Sequence, residues 1–157
     1  MPPKFLADLK EVNFSKPEVG IEEIRAVNPH RYEMEQLTAI LRFDPENRLI
    51  IGYKDVTSNE FWVRGHIPGR PLMPGVLMVE AAAQLCTFYY KKSIPDERFL
   101  GFGGVDNVKF RGPVVPGDKL ILIARNLELR PRRAIFDTQG VVDSRIVFEA
   151  RIIGMAV

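Results

Sequence analysis

The stretch "PGVLMVEAAAQLCTFYYKK", which begins at Pro74, has no proline after its first residue and is rich in good helix formers. Proline in a first turn costs little, because its missing N–H would lack an intrahelical partner anyway, so the pattern predicts a helix from about Pro74 to about Lys91. Apolar residues cover nearly the whole circumference from Val76 to Leu85, and a helix that is apolar all round belongs inside a protein. Everything else must therefore wrap it. After Pro95 the sequence returns to strand patterns, "FLGFGGVDNVKF", "DKLILIARNLEL", "RRAIFDTQGVV" and "SRIVFEARIIGM", separated by turn formers. In the last of these, period-two alternation puts Ile146, Phe148, Ala150 and Ile152 on one face and Arg145, Val147, Glu149 and Arg151 on the other. Upstream, "EQLTAILRF" and "ENRLIIGYKDV" read as a hairpin around Asp44-Pro45-Glu46-Asn47, and "GIEEIRAV" as one or two helical turns. One buried helix and about six antiparallel strands give an α+β fold, the sheet curled over the helix.

The 157 residues suit one domain spanning 1–157, with 1–30 as an N-terminal arm or short helix. Twenty-two basic against 20 acidic residues is too near balance to indicate nucleic acid. The lone Cys86 excludes an intrachain disulfide and a cysteine-based metal site. No run approaches the ~20 apolar residues of a membrane span, and "MPPKFLADLKEVNF" lacks the apolar core of a secretion signal, so the expectation is a cytoplasmic protein.

Within Val76–Leu85 the one charged residue is Glu80, and Gln84 lies four positions on, on the same face. A buried carboxylate is costly unless it is paired, hydrogen-bonded or protonated, and desolvation raises its pKa. A structural Glu80–Gln84 hydrogen bond satisfies that requirement; so does service as a proton donor. His66 supplies a complementary base. It opens the loop "GHIPGRPLMPG", whose prolines at 68, 71 and 74 predict a stiff, extended path that keeps His66 and Glu80 off one helix. They meet if the loop turns back, or across a subunit boundary. Gly75 begins the helix, where free amides and the positive end of the dipole suit a carbonyl oxygen, and glycine allows close approach. Base, acid and amide together suit proton abstraction beside a carbonyl with loss of a group at the next carbon.

"GHIPGRPLMPGVLMVEAAAQL" resembles the active-site segment of the FabZ-type 3-hydroxyacyl-acyl-carrier-protein dehydratases, whose pattern is close to G-H-F-P-x-x-P-x-M-P-G-V-L-x-x-E-A-x-A-Q. "GVDNVKFRGPVVPGDKL" and "NPHRY" extend the resemblance over roughly residues 24–155. It implies the hot-dog fold and a homodimer, or a hexamer built as a trimer of dimers, with each active site shared between subunits. His66 would take the C2 proton of a (3R)-3-hydroxyacyl thioester, Glu80 would protonate the leaving C3 hydroxyl, and the Gly75 amide would polarise the thioester carbonyl. The implied product is a trans-2-enoyl thioester, and no cofactor is implied beyond the phosphopantetheine carried by the substrate's acyl carrier protein. That acidic partner would suit a basic patch drawn from Arg64, Arg70, Lys109, Arg111, Lys119, Arg130, Arg132 and Arg133. Leu77, Phe88 and Phe102 are candidates to line an acyl tunnel. The alternatives are a hot-dog acyl thioesterase and a non-catalytic acyl-carrier-binding subunit. The chain departs from the family pattern at "EMEQLTAILRF" after "NPHRY", at Ile67 for phenylalanine, and at "SNEFWVRGH", positions that bear on which acyl chain is accepted.

Overall fold

A computed structural model describes residues 4–10, 12–95 and 98–157. The elements run α1 (Ile21–Val27), a 3-10 turn (Tyr32–Met34), β1 (Ala39–Asp44), β2 (Leu49–Asp55), α2 (Gly75–Ser93), β3 (Leu100–Phe110), β4 (Lys119–Leu129), β5 (Arg133–Val142) and β6 (Arg145–Ala156). Six strands form one antiparallel sheet in the order β1-β2-β4-β5-β6-β3. The sheet curls over α2, as the periodicities require. Pro74 is the N-cap rather than the first helical residue, and its carbonyl accepts the Leu77 N–H at 2.9 Å. The helix runs to Ser93, about half a turn past the expected Lys91, with Lys91 and Lys92 in its last turn where the dipole favours cations.

The inner face of the sheet and α2 share the main core, in which Ile40, Ala81, Leu85, Phe88, Phe136 and Phe148 are fully buried. The expected face assignment of β6 holds from Phe148 onward and fails before it. Gly140 pairs with Phe148 but Val141 pairs with Ile146, so Val147 is a bulged residue. One extra residue reverses the alternation: Val147 joins the inner core, and Ile146 packs on the outer face beside Val141.

The outer face is covered as well. Leu41, Leu49, Ile51, Ile123 and Val141 form a second apolar cluster, on which Leu6, Leu9, Val12 and Phe14 of the N-terminal arm lie. The arm has no regular structure and is fastened by side chains: Gln139 Oε1 accepts the Leu6 N–H at 2.8 Å, and Gln139 Nε2 donates to the Lys4 carbonyl at 2.8 Å. Arg125 donates to the Leu6 carbonyl at 2.7 Å. Phe14 meets Tyr53 edge-on at 5.2 Å, and Lys119 Nζ lies over both rings. Phe14→Ala should lower the unfolding free energy by about 1–2 kcal/mol, through lost ring packing and cation–π contact, a change that urea denaturation resolves.

β3 forms the opposite edge of the sheet. It is 11 residues long, pairs with β6 on one side only, and leaves Phe102, Val105, Val108 and Phe110 exposed. A long apolar edge strand is a template for pairing with another strand.

Candidate active site

His66 is placed by the loop on either side of it. The preceding segment is anchored by a buried ion pair, Lys54 Nζ to Glu60 Oε1 at 3.0 Å, and by Trp62, whose carbonyl accepts the His66 N–H at 2.7 Å. After His66 the chain does not take the extended path that its prolines suggest. Ile67 (φ 64°) and Gly69 (φ 80°) adopt left-handed conformations, and the Arg70 N–H closes a turn on the Ile67 carbonyl at 2.9 Å. Such a φ is costly for a β-branched residue. The turn brings the Leu72 carbonyl to 2.6 Å from His66 Nδ1. A carbonyl only accepts, so in the neutral ring Nδ1 carries the proton and Nε2 keeps its lone pair. That tautomer is a base. Nothing in the residue type of Leu72 signals this role, because the backbone oxygen does the work.

The loop then joins the segment after β3. The Met73 N–H donates to the Val114 carbonyl at 2.8 Å, so "GHIPGRPLMPG" and "GVDNVKFRGPVVPGDKL" meet in space. Gly75 lies against Phe110: a Cβ there would come within 2.7–2.9 Å of the ring. Glycine allows that approach, and it begins α2, whose first amides have no intrahelical acceptor.

Glu80 lies one and a half turns into α2 and is half-buried. Burial raises its pKa above the ordinary carboxylate value, and the Gln84 amide, one turn on, pulls it only part of the way back. Gln84 is committed elsewhere. Its Oε1 accepts the Gln36 N–H at 2.9 Å, and its Nε2 donates to the Met34 carbonyl at 2.6 Å, so it clamps the segment that follows the 3-10 turn. Its amide therefore holds the backbone of Met34 and Gln36 as well as acting on the Glu80 carboxyl. Gln84→Leu would strand two backbone groups and should cost about 2–4 kcal/mol in chemical denaturation.

No hydrogen bond joins His66 to Glu80 among the described residues, and neither lines a cleft with the other. The other expected site residues divide. Phe102 lines a slot of about 20 Å3 with Ala83, Cys86 and Thr87, on the helix face that carries Glu80. Phe88 does not: it is fully buried and packs edge-on against Phe43 at 5.8 Å, so it is core. Leu77 packs against the core and is absent from the slot.

The basic candidates also separate. Arg64 and Arg70 are exposed on the His66 loop, and Arg70 lines a groove of about 540 Å3 with Leu72, Pro113 and Val115. Arg111 is paired with Glu149 at 2.7 Å, and Lys109 stands opposite Glu149 in the β3–β6 register. Lys119 is taken up by Asp55 and the arm. Arg130, Arg132 and Arg133 lie at the other pole. Their hairpin packs on the end of α2, where the Tyr90 hydroxyl donates to the Pro131 carbonyl at 2.6 Å, and Arg130 and Arg133 both pair with Glu128. Fifteen helical residues, about 22 Å, separate Tyr90 from Gly75, because sequence clustering of charge carries no information about which pole receives it.

Residues 28–151 match the FabA-like domain family. The chain is 38% identical over 138 residues to a 3-hydroxyacyl-acyl-carrier-protein dehydratase FabZ of Desulfotalea psychrophila, covering 86% of this chain and 91% of the relative. It is 39% identical over 140 residues to the FabZ of Clostridium beijerinckii, covering 86% and 96%. Among solved structures, the dehydratase heterocomplex ApeI:P of Xenorhabdus doucetiae superposes with a TM-score of 0.73 at 12% identity, covering 85% of this chain and 90% of that one. Cj0977, a sigma28-regulated virulence protein of Campylobacter jejuni, superposes with a TM-score of 0.65 at 22% identity, covering 87% and 89%. At those identities the two structures speak for the hot-dog fold.

Proposed function

We propose that this chain, which belongs to the FabA-like domain family and is a 3-hydroxyacyl-acyl-carrier-protein dehydratase of the FabZ type, divides its chemistry between His66 and Glu80 of two different copies. The observation that carries this division is the His66 Nδ1–Leu72 hydrogen bond, which leaves Nε2 as a base. Nε2 takes the C2 proton of a (3R)-3-hydroxyacyl thioester. Charge accumulates on the thioester oxygen, where the Gly75 amide at the positive end of α2 stabilises it. Glu80, whose hold on its proton burial strengthens, gives that proton to the C3 hydroxyl, which leaves as water. The C2–C3 electron pair becomes the double bond of a trans-2-enoyl thioester, and the imidazolium proton returns to the carboxylate through solvent between turnovers. Both steps move only protons and hydroxide, so no redox cofactor enters this scheme.

Two observations support a site built by two copies. No hydrogen bond joins His66 to Glu80 of one chain among the described residues, and β3 offers an unpaired edge beside Phe110 and Gly75. Pairing β3 with β3 of a second copy gives a two-fold dimer and carries each α2 towards the neighbour's His66 loop. The carrier's phosphopantetheine arm would enter along the groove between Arg70 and Val115, its phosphate toward Arg70. The acyl chain would follow the α2 face of Glu80, Ala83 and Thr87. The test is conversion of 3-hydroxyacyl-acyl-carrier protein to the enoyl form, or the reverse hydration followed by loss of enoyl-thioester absorbance. Release of free thiol without change at C2–C3 would point instead to a thioesterase.

A further inference from the structure

The pole of α2 remote from Gly75 carries a second cleft, of about 500 Å3, that the dehydration chemistry does not use. Its wall is made by the end of α2, the β1–β2 turn and the end of β4. Tyr89 is 2% exposed, its ring held edge-on between Phe43 (5.5 Å) and Phe136 (5.4 Å), and its hydroxyl, which makes no hydrogen bond among the described residues, borders the cleft. Ser93, one helical turn on, also lines the cleft, and its Oγ is buried and unpartnered.

Two cations complete the rim. Arg48 is exposed, makes no ion pair among the described residues, and stands close enough for its charge to act on the Tyr89 phenol. It is held at φ 54° by its N–H to the Pro45 carbonyl (3.1 Å) and by its own carbonyl accepting the Asn126 N–H (2.9 Å). Arginine gains nothing from a left-handed backbone that asparagine or glycine adopts more readily, so the side chain is what the position uses. Lys92 reaches only a distant Glu23, at 3.9 Å. The nearest carboxylate acting on Tyr89 is Asp44, already engaged by Arg42 at 2.6 Å and by Asn47 Nδ2 at 2.8 Å. Among the described residues no carboxylate lines the cleft, while Phe43 and Leu129 give it an apolar floor.

Converging donors over an apolar floor fit an oxyanion carried on a hydrocarbon body. We propose that this cleft binds a small organic anion, its carboxylate or phosphate oxygens meeting Arg48, Lys92 and the Tyr89 hydroxyl, its apolar part lying on Phe43 and Leu129. The site is independent of the catalytic end and does not rest on the dehydratase reading.

Isothermal titration of the full chain with octanoate, octyl phosphate and 1-octanol tests it. Both anions should bind saturably and the alcohol should not; whichever anion binds tighter identifies carboxylate or phosphate as the source. Arg48→Asn removes the charge while suiting the left-handed backbone, and should weaken anion binding about tenfold, with Arg48→Lys recovering part of the loss. Tyr89→Phe should weaken it several-fold. Crotonyl-thioester hydration should be unchanged in Arg48→Asn. Absence of saturable binding, equal binding of the alcohol, or anion binding undiminished in both Arg48→Asn and Tyr89→Phe would overturn the proposal, the last by placing the anion at the catalytic end.

Discussion

His66→Ala and Glu80→Gln should each lower enoyl-thioester hydration by about 10²–10⁴-fold while leaving a folded protein, since each removes one positioned proton-transfer group. The two losses differ in their pH signature. In the native protein Glu80 holds its proton more tightly than in the unfolded chain, because burial raises its pKa. Stability therefore falls as pH rises from the ordinary carboxylate range through the raised value, where the unfolded state releases its proton first. Glu80→Gln removes that cost. It should be the more stable protein above the raised value and lose the advantage as pH falls to the ordinary range, when both proteins are neutral at this position. Thermal denaturation at several pH values reads this directly. In the wild type, the hydroxyl-leaving step should slow over the rising-pH window in which Glu80 ionises. Full activity in Glu80→Gln would remove Glu80 from the reaction altogether.

Mixing the two inactive proteins should restore activity. In a two-fold dimer with shared sites, a heterodimer of His66→Ala and Glu80→Gln has one site with both native groups and one with neither. Random exchange makes about half the dimers mixed, so recovery should approach about a quarter of the wild-type rate. A site contained within one chain would give no recovery at any mixing ratio, provided that subunit exchange is verified, for example by native mass spectrometry of differently tagged chains. The result bears on geometry that the single chain leaves open: no hydrogen bond joins His66 to Glu80 among the described residues, and β3 has a free edge.

The helix and the strand count were legible in the sequence, for reasons that can be named. A continuous apolar run bounded by proline has few places to go but the interior, and the strands kept their period of two wherever no bulge intervened. At Val147 one did, and Ile146 exchanged faces with it, because a bulge is set by the pairing of Gly140 and Phe148 rather than by any residue at the position. The loop after His66 was misread for a related reason. Its prolines fix their own φ, but the left-handed Ile67 and Gly69 between them decide where the path turns. Gln84 acts on Glu80 because helical spacing puts them on one face. Its stronger claimants, the backbone groups of Met34 and Gln36, lie 48–50 residues away in the chain. The basic residues divide between the two ends of α2, because a run such as "RPRR" states its charge and not its pole.

The arm that covers the outer sheet face also sets an order in time. Its fastening residue, Gln139, stands 133 residues after Leu6, so the arm is synthesised well before the residue that holds it in place. Until β5 is made and paired, Leu41, Ile51 and Ile123 have no cover, and an uncovered apolar sheet face is where growing chains stick to one another. Shortening the arm should therefore be felt first as aggregation during folding, in the yield of soluble protein, rather than as a slower enzyme once the fold is complete.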